Sequence, residues 1–300
     1  AHEKARDGML KLGRSLAAHF PVPCAFEDWF WATSLIQARA VRFGVEYWRS
    51  LSPRCRGTIV WQLNDCWPVI SWSTVDGDGR RKPVWYALRE AYADRLLTVQ
   101  PAPGQVPGGD GSGGDGLLAA AVNDGAAPWE LSLRVARQDF YGRTLAHEQL
   151  EMSARPGQSV AVAIGPGVAT PGDPAREMLS VTGGGHRALW FYAEDKDLEL
   201  PAPALEVDVE RAEGGYDVTL AASTLQRDVA ILAGRADPGA ESEEMLFTLL
   251  PGESRRVHIR SERAVDLAAF ARPDVLRSAN QLCRPRAGEA AIASGPPATA

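Results

Sequence analysis

The period of the hydrophobic pattern changes once along this chain of 300 residues, and that change limits what the chain can fold into. In the first third, Trp31, Leu35, Ala38, Val41, Val45 and Trp48 recur at gaps of four, three, three, four and three, which puts them on one face of a helix over about 28–50. Beyond residue 117 the spacing becomes two. Trp129, Leu131, Leu133 and Val135 alternate with Glu130, Ser132, Arg134 and Ala136, and Val160, Val162 and Ile164 alternate again. The two regimes meet at 101–116, a Gly/Pro-rich stretch that reads as a flexible linker by composition. Tryptophan follows the same division, with seven of the nine before residue 90.

The helical third has further punctuation. Residues 8–20 read as a short helix stopped by Pro21 and Pro23. Asp28 suits the N-terminal cap of the long helix, and Ser52-Pro53 ends it. Residues 58–63 form a short β-branched run in which no polar residue alternates, the pattern of a strand buried on both faces. The run turns polar at Gln62, Asn64 and Asp65, and Pro68 blocks a continuing ladder. A loop over 64–83 contains an Asp76-Gly77-Asp78-Gly79 turn, and Pro83 fits the first position of another helix lined by Trp85, Leu88, Tyr92 and Leu96. Helix, buried strand, loop and helix together read as the closing end of a β/α barrel, where chemistry sits at the carboxyl ends of strands.

After the linker, short strands separated by Gly/Pro turns predict two β-sandwich blocks, 117–200 and 203–285, with a boundary at Pro201-Ala202-Pro203 and a disordered tail over 286–300. Gly183-Gly184-Gly185 reads as a turn, because no phosphate-loop pattern follows it. The net charge of −6 gives no basic footprint for nucleic acid, and no apolar run is long enough to span a membrane. No signal peptide and no initiator Met are visible, which suggests a piece of a longer or processed chain. Cys24, Cys55, Cys66 and Cys283 have no metal spacing and read as reduced thiols, which leans towards the cytoplasm. The five histidines are scattered, so no metal and no cofactor is expected.

Three stretches carry a resemblance: Gln37 to Trp48, then Trp61-Gln62-Leu63-Asn64-Asp65-Cys66-Trp67-Pro68, then Ser71-Trp72-Ser73 with Asp76. Together they resemble the end of the catalytic domain of family 2 glycoside hydrolases, in the β-mannosidase branch. Ala188 to Pro201 and Met245 to Glu253 are similar to the C-terminal β-sandwich domains of that family. The fold the resemblance implies is multidomain: the end of a (β/α)8 TIM barrel over 1–100, followed by two all-β immunoglobulin-like β-sandwich domains.

The activity it implies is retaining exo-hydrolysis of terminal β-D-mannose from an oligosaccharide or glycoconjugate, by two glutamates acting as acid/base and nucleophile. The family's Asn-Glu and Ser-Glu-Phe-like stretches are absent here, so no catalytic residue is assigned in this chain, and the 300 residues alone are expected to be inactive. The substrate-binding residues it implies are Trp61 as a sugar platform, with Asn64, Asp65 and Trp67 around it; turn-fixing is the competing role for Asn64 and Asp65. Glu46 is read instead as an ion-pair partner of Arg42 one helical turn away, and Asp76 is paired with Lys82. A related exo-β-glycosidase (glucosaminidase or galactosidase) and a non-catalytic glycan-binding or buttressing module stay open, as does a homo-oligomer.

Overall fold

The computed structural model describes residues 3–102 and 116–283. Most of the linker and the tail expected over 286–300 lie outside the described residues. Three helices open the chain: α1 (Gly8–His19), α2 (Phe26–Ser50) and α3 (Pro83–Ala91). Trp31, Leu35, Ala38 and Val45 are buried along the α2 face read from their spacing, and Pro83 opens α3. Asp28 is not the cap. Helix α2 begins two residues earlier, after Ala25, and Asp28 lies buried in its first turn, where it accepts a 2.6 Å hydrogen bond from Arg277. A cap position cannot be told from a first-turn position by residue type, since Asp suits both.

Residues 58–63 do not form a buried strand. They form no ladder and bend at Trp61 and Leu63, and Ile59 is 95% and Trp61 73% exposed. A strand exists only where a neighbour takes up its N–H and C=O groups, and only the end of this run, at Gln62 and Leu63, is bonded to a neighbouring segment, Thr74–Val75. Every ladder of two or more residue pairs among the described residues is antiparallel, so no closed β/α barrel is present in them.

The first β block contains β1 (Arg95–Pro101), β2 (Leu117–Asn123), β3 (Trp129–Asp139), β4 (Thr144–Ala154), β5 (Gln158–Ala163), β6 (Glu177–Gly183) and β7 (His186–Phe191). They form two sheets, ordered β1-β2-β5 and β4-β3-β6-β7. Trp129, Leu131, Leu133 and Val135 point between the sheets and meet Leu97, Val99, Ala119, Leu179 and Val181. Leu96, expected on the last helical turn, is instead on β1, because β1 pairs with β2 from Arg95 opposite Asn123 to Pro101 opposite Leu117. The Gly/Pro-rich stretch therefore joins two paired strands of one sheet, and the block starts before residue 100. Gly184 and Gly185 take positive φ values of 57° and 80° between paired Gly183 and His186, which is the two-residue turn that matches strand twist.

The second block contains β8 (Leu205–Ala212), β9 (Gly215–Ala222), β10 (Gln226–Ile231), β11 (Glu241–Ser242), β12 (Met245–Leu249), β13 (Ser254–Arg260) and β14 (Leu276–Arg277), in sheets β11-β13-β9-β8 and β12-β10-β14. Its core holds Tyr216, Val218, Leu220, Val229, Ile231, Val257, Ile259 and Phe270. A third cluster ties the helices to both blocks, with Leu16, Phe20, Trp31 and Leu35 against Phe140, Met178, Leu198, Leu225 and Leu282.

Polar contacts fix the same junction. Arg39 on α2 reaches Asp195, which follows β7, at 2.5 Å, and Asp228 on β10. Arg227 also meets Asp195, at 3.0 Å. The register of β10 shifts between Gln226 and Val229, and Asp228 sits at φ 50° within that bulge, aimed towards the helix.

Candidate functional site

The site expected at the end of the 58–63 run is a loop folded around one carboxylate. Val75 N–H donates to the Leu63 carbonyl at 2.9 Å, Asp65 N–H donates to the Val75 carbonyl at 3.1 Å, and Thr74 N–H donates to the carbonyls of both Gln62 and Leu63. These bonds bring residues 71–75 against 62–65. Gly77 passes so close to Trp67 that a Cβ there would lie 2.6 Å from the Trp67 carbonyl carbon, which only glycine tolerates. The Asp76 turn forms as expected, with its carboxylate accepting the N–H groups of Asp78 and Arg80 at 2.9 Å. Asp76 does not pair with Lys82, because its oxygens face its own turn, and Lys82 Nζ donates to the Ser71 carbonyl at 3.0 Å. Burial lowers the Lys82 pKa, and the nearby Asp65 and Asp76 offset this only partly.

Trp61 stands out from this loop at 73% exposed, and Ile59 and Leu63 are exposed in the same run, at 95% and 66%. Trp67 and Trp72 are each about two-fifths exposed nearby. Asn64 is exposed, and its Nδ2 donates to the Asp65 carbonyl at 3.2 Å. Asp65 turns inward. Its side chain is 1% exposed and accepts from Lys4 Nζ at 2.6 Å and from the hydroxyls of Ser71 and Ser73. Burial alone would raise the Asp65 carboxyl, but the Lys4, Ser71 and Ser73 hydrogen bonds and the Lys4 charge hold it below the ordinary carboxylate range. Behind the loop, Val60, Leu63, Thr74, Trp85, Leu88, Arg89 and Tyr92 line an apolar crevice of about 510 Å³.

Glu46 makes the contact read from its spacing: Arg42 Nε donates to it at 2.6 Å, and Thr98 Oγ1 donates to its other oxygen at 2.7 Å. Sequence reasoning missed Lys4, whose ammonium also lies 5.7 Å from the Trp72 ring centre. No spacing links residues 4 and 65, so only the fold could join them. Among the described residues no group of three or more His, Cys, Asp or Glu could hold a metal ion, and no helix is long and apolar enough to cross a membrane.

This fold is a helical segment followed by two antiparallel β-sandwich blocks, and the comparisons show which proteins share it. Residues 200–282 match the mannosidase Ig-fold domain family. β-Mannosidase B of Aspergillus niger is 36% identical over 90 residues, which is 29% of this chain and 11% of that protein. The β-mannosidase B of Emericella nidulans is 36% identical over 102 residues, 33% of this chain and 12% of that one.

In structure, the β-D-mannosidase of Dictyoglomus thermophilum aligns over 92% of this chain and 32% of its own, with a TM-score of 0.74 and 24% identity. The Amycolatopsis orientalis exo-chitosanase CsxA, solved in complex with PNP-β-D-glucosamine, aligns over 93% of this chain and 37% of its own, with a TM-score of 0.63 and 15% identity. The chain is similar in sequence and fold to the C-terminal portion of family 2 glycoside hydrolases of the β-mannosidase branch. It spans about a third of the solved β-mannosidase, and the matched stretch is about a ninth of the curated relatives.

Proposed function

We propose that these residues are the C-terminal portion of a retaining exo-β-mannosidase that removes terminal non-reducing β-D-mannose from β-D-mannosides. The observation that carries the proposal is the exposure of Trp61 in the 58–63 run, beside a loop whose own bonds hold it in place. An indole face matches the apolar C–H face of a pyranose ring and favours an oxocarbenium-like transition state above it. Asn64 and Trp67 flank the platform; Asp65, expected beside them, lies beneath it.

In this reading, 57–63 is the last strand of a TIM barrel whose other strands, with both catalytic glutamates, lie upstream. The exposed Ile59 and Leu63, at 95% and 66%, suit such a neighbour, since exposed apolar side chains of this kind mark contact surfaces. The two β-sandwiches buttress the barrel end, and Trp129 is consumed in the first core and not offered to a glycan.

The structural likeness to an exo-chitosanase solved with PNP-β-D-glucosamine favours one second reading, a related family 2 exo-glycosidase acting on another β-linked sugar. A panel of 4-nitrophenyl β-glycosides tests both readings. The complete open reading frame containing this sequence should hydrolyse the β-mannoside with retention, and the 300 residues alone should hydrolyse none of the panel. Turnover by the 300 residues, or a preference for the β-glucosaminide, contradicts the β-mannosidase reading.

A further inference from the structure

The geometry points to Asp65 as a positioning residue that holds the aromatic platform of the proposed sugar site in place from below. This deepens the function proposed above and rests on it. The Asp65 carboxylate is buried, and its hydrogen bonds go to three separate parts of the loop system. Ser71 and Ser73 donate to one oxygen and flank Trp72 on both sides. Lys4 donates to the other oxygen at 2.6 Å while its ammonium lies against the Trp72 ring.

Gln62, the residue after Trp61, has its Nε2 3.4 Å from that second oxygen and donates to the Asn64 carbonyl at 2.7 Å. Trp67 is two residues downstream, on backbone that Gly77 contacts directly. One carboxylate thus sits at the centre of a set of bonds whose outer members are the neighbours of Trp61 and Trp72, with Trp67 two residues along the same backbone. A group at that position touches no sugar. It decides where three indoles stand and how far they move, and a buried, multiply bonded carboxylate suits such a role because loss of any partner leaves a polar group unsatisfied.

The test reads the indoles directly. The nine tryptophans give nine indole N–H cross-peaks in a ¹⁵N–¹H spectrum of the 300-residue chain, and single Trp→Phe variants assign those of Trp61, Trp67 and Trp72. Asp65→Asn should shift or broaden these three and leave those of Trp31, Trp129 and Trp190 in place. Lys4→Met should move Trp72 most. If Asp65→Asn collapses the whole spectrum, the double variant Ser71→Ala, Ser73→Ala, which keeps the charge, should give the same selective change.

Three loop peaks unmoved in a folded Asp65→Asn or double-serine variant overturn the inference. So does a change spread evenly over all nine, which would mark a purely structural carboxylate. In the complete enzyme, Asp65→Asn should lower kcat more than it raises KM, since a displaced platform weakens the transition state before the ground state. The spectra need no sugar, so they decide the role of Asp65 even if Trp61 proves not to contact substrate. Kinetics of Trp61→Ala decide that second question separately.

Discussion

Trp31 and Trp61 are the same residue type with opposite physical roles. Trp31 is fully buried at the junction of helix and sandwich, and its indole N–H donates to the Ser278 carbonyl at 3.1 Å. Trp61 stands in solvent and makes little of the core. Trp31→Ala should therefore destabilise the chain by about 3–5 kcal/mol, as expected when a large core side chain leaves a cavity. Trp61→Ala should change stability by no more than about 0.5 kcal/mol. Thermal unfolding of the two variants checks this contrast, and a large cost for Trp61→Ala would mean that its indole packs and does not present.

Two buried carboxyls, Asp65 and Asp195, contribute to acid sensitivity at this scale. Asp65 faces Lys4 and Lys82, with Asp76 nearby, and Asp195 faces Arg39 and Arg227, with Cys283 nearby. Burial opposes both charges, yet their partners hold both carboxyls below the ordinary value of 3.8. The stability each contributes is thus fully present above that unfolded value and is lost as pH falls through the lower folded value. Tryptophan emission should stay flat from neutral pH to about pH 4 and change below it. In Asp65→Asn, which has no carboxyl there to titrate, the part of that change arising in the 61–72 loop should vanish.

At the scale of elements, the helices and the alternating strands were legible because each carries its own period. The α2 stripe and the β3 alternation can be counted without knowing what they pack against. The 58–63 run was not legible, because an apolar run specifies burial only in the presence of a partner that the sequence does not name. Here it is bent and open to solvent, with Ile59 95% exposed. Strand β1 was missed for a related reason: Leu96 continues the α3 spacing, and only pairing with β2 across the Gly/Pro-rich stretch shows that the helix has ended. In the loop, the Trp61–Pro68 motif could be read from the sequence, while the Lys4 contact with Asp65 could not, since long-range ion pairs leave no trace in spacing.

The bulge on β10 that aims Asp228 at Arg39 is equally silent in sequence, and it completes the joint between α2 and both β blocks. Asp195→Ala should destabilise that joint by about 3–5 kcal/mol, because it leaves the Arg39 and Arg227 guanidiniums facing each other with only Asp228 between them. A loss under about 1 kcal/mol in thermal unfolding, the range of an exposed pair, would show that the cluster does not clamp the helix.

For the whole molecule, three bodies share one joint. The α2–α3 pair rests on the second sandwich through Tyr86 donating to the Ser242 carbonyl at 2.6 Å and through Asp28 with Arg277. The first sandwich meets the same helix through Asp195. The helices hold the 57–82 segment in turn, with Gln37 of α2 donating to the Trp72 carbonyl at 2.8 Å.

The account depends on Trp61 lying beneath a mannose ring in the complete enzyme, and steady-state kinetics of the complete open reading frame against its Trp61→Ala variant, on 4-nitrophenyl β-mannoside, test this most directly. The expected result is retaining hydrolysis by the parent and a fall of about 10²-fold in kcat/KM in the variant, or roughly 2.7 kcal/mol of transition-state stabilisation. An equal kcat/KM in the two proteins, or no hydrolysis of the β-mannoside by the parent, would contradict it.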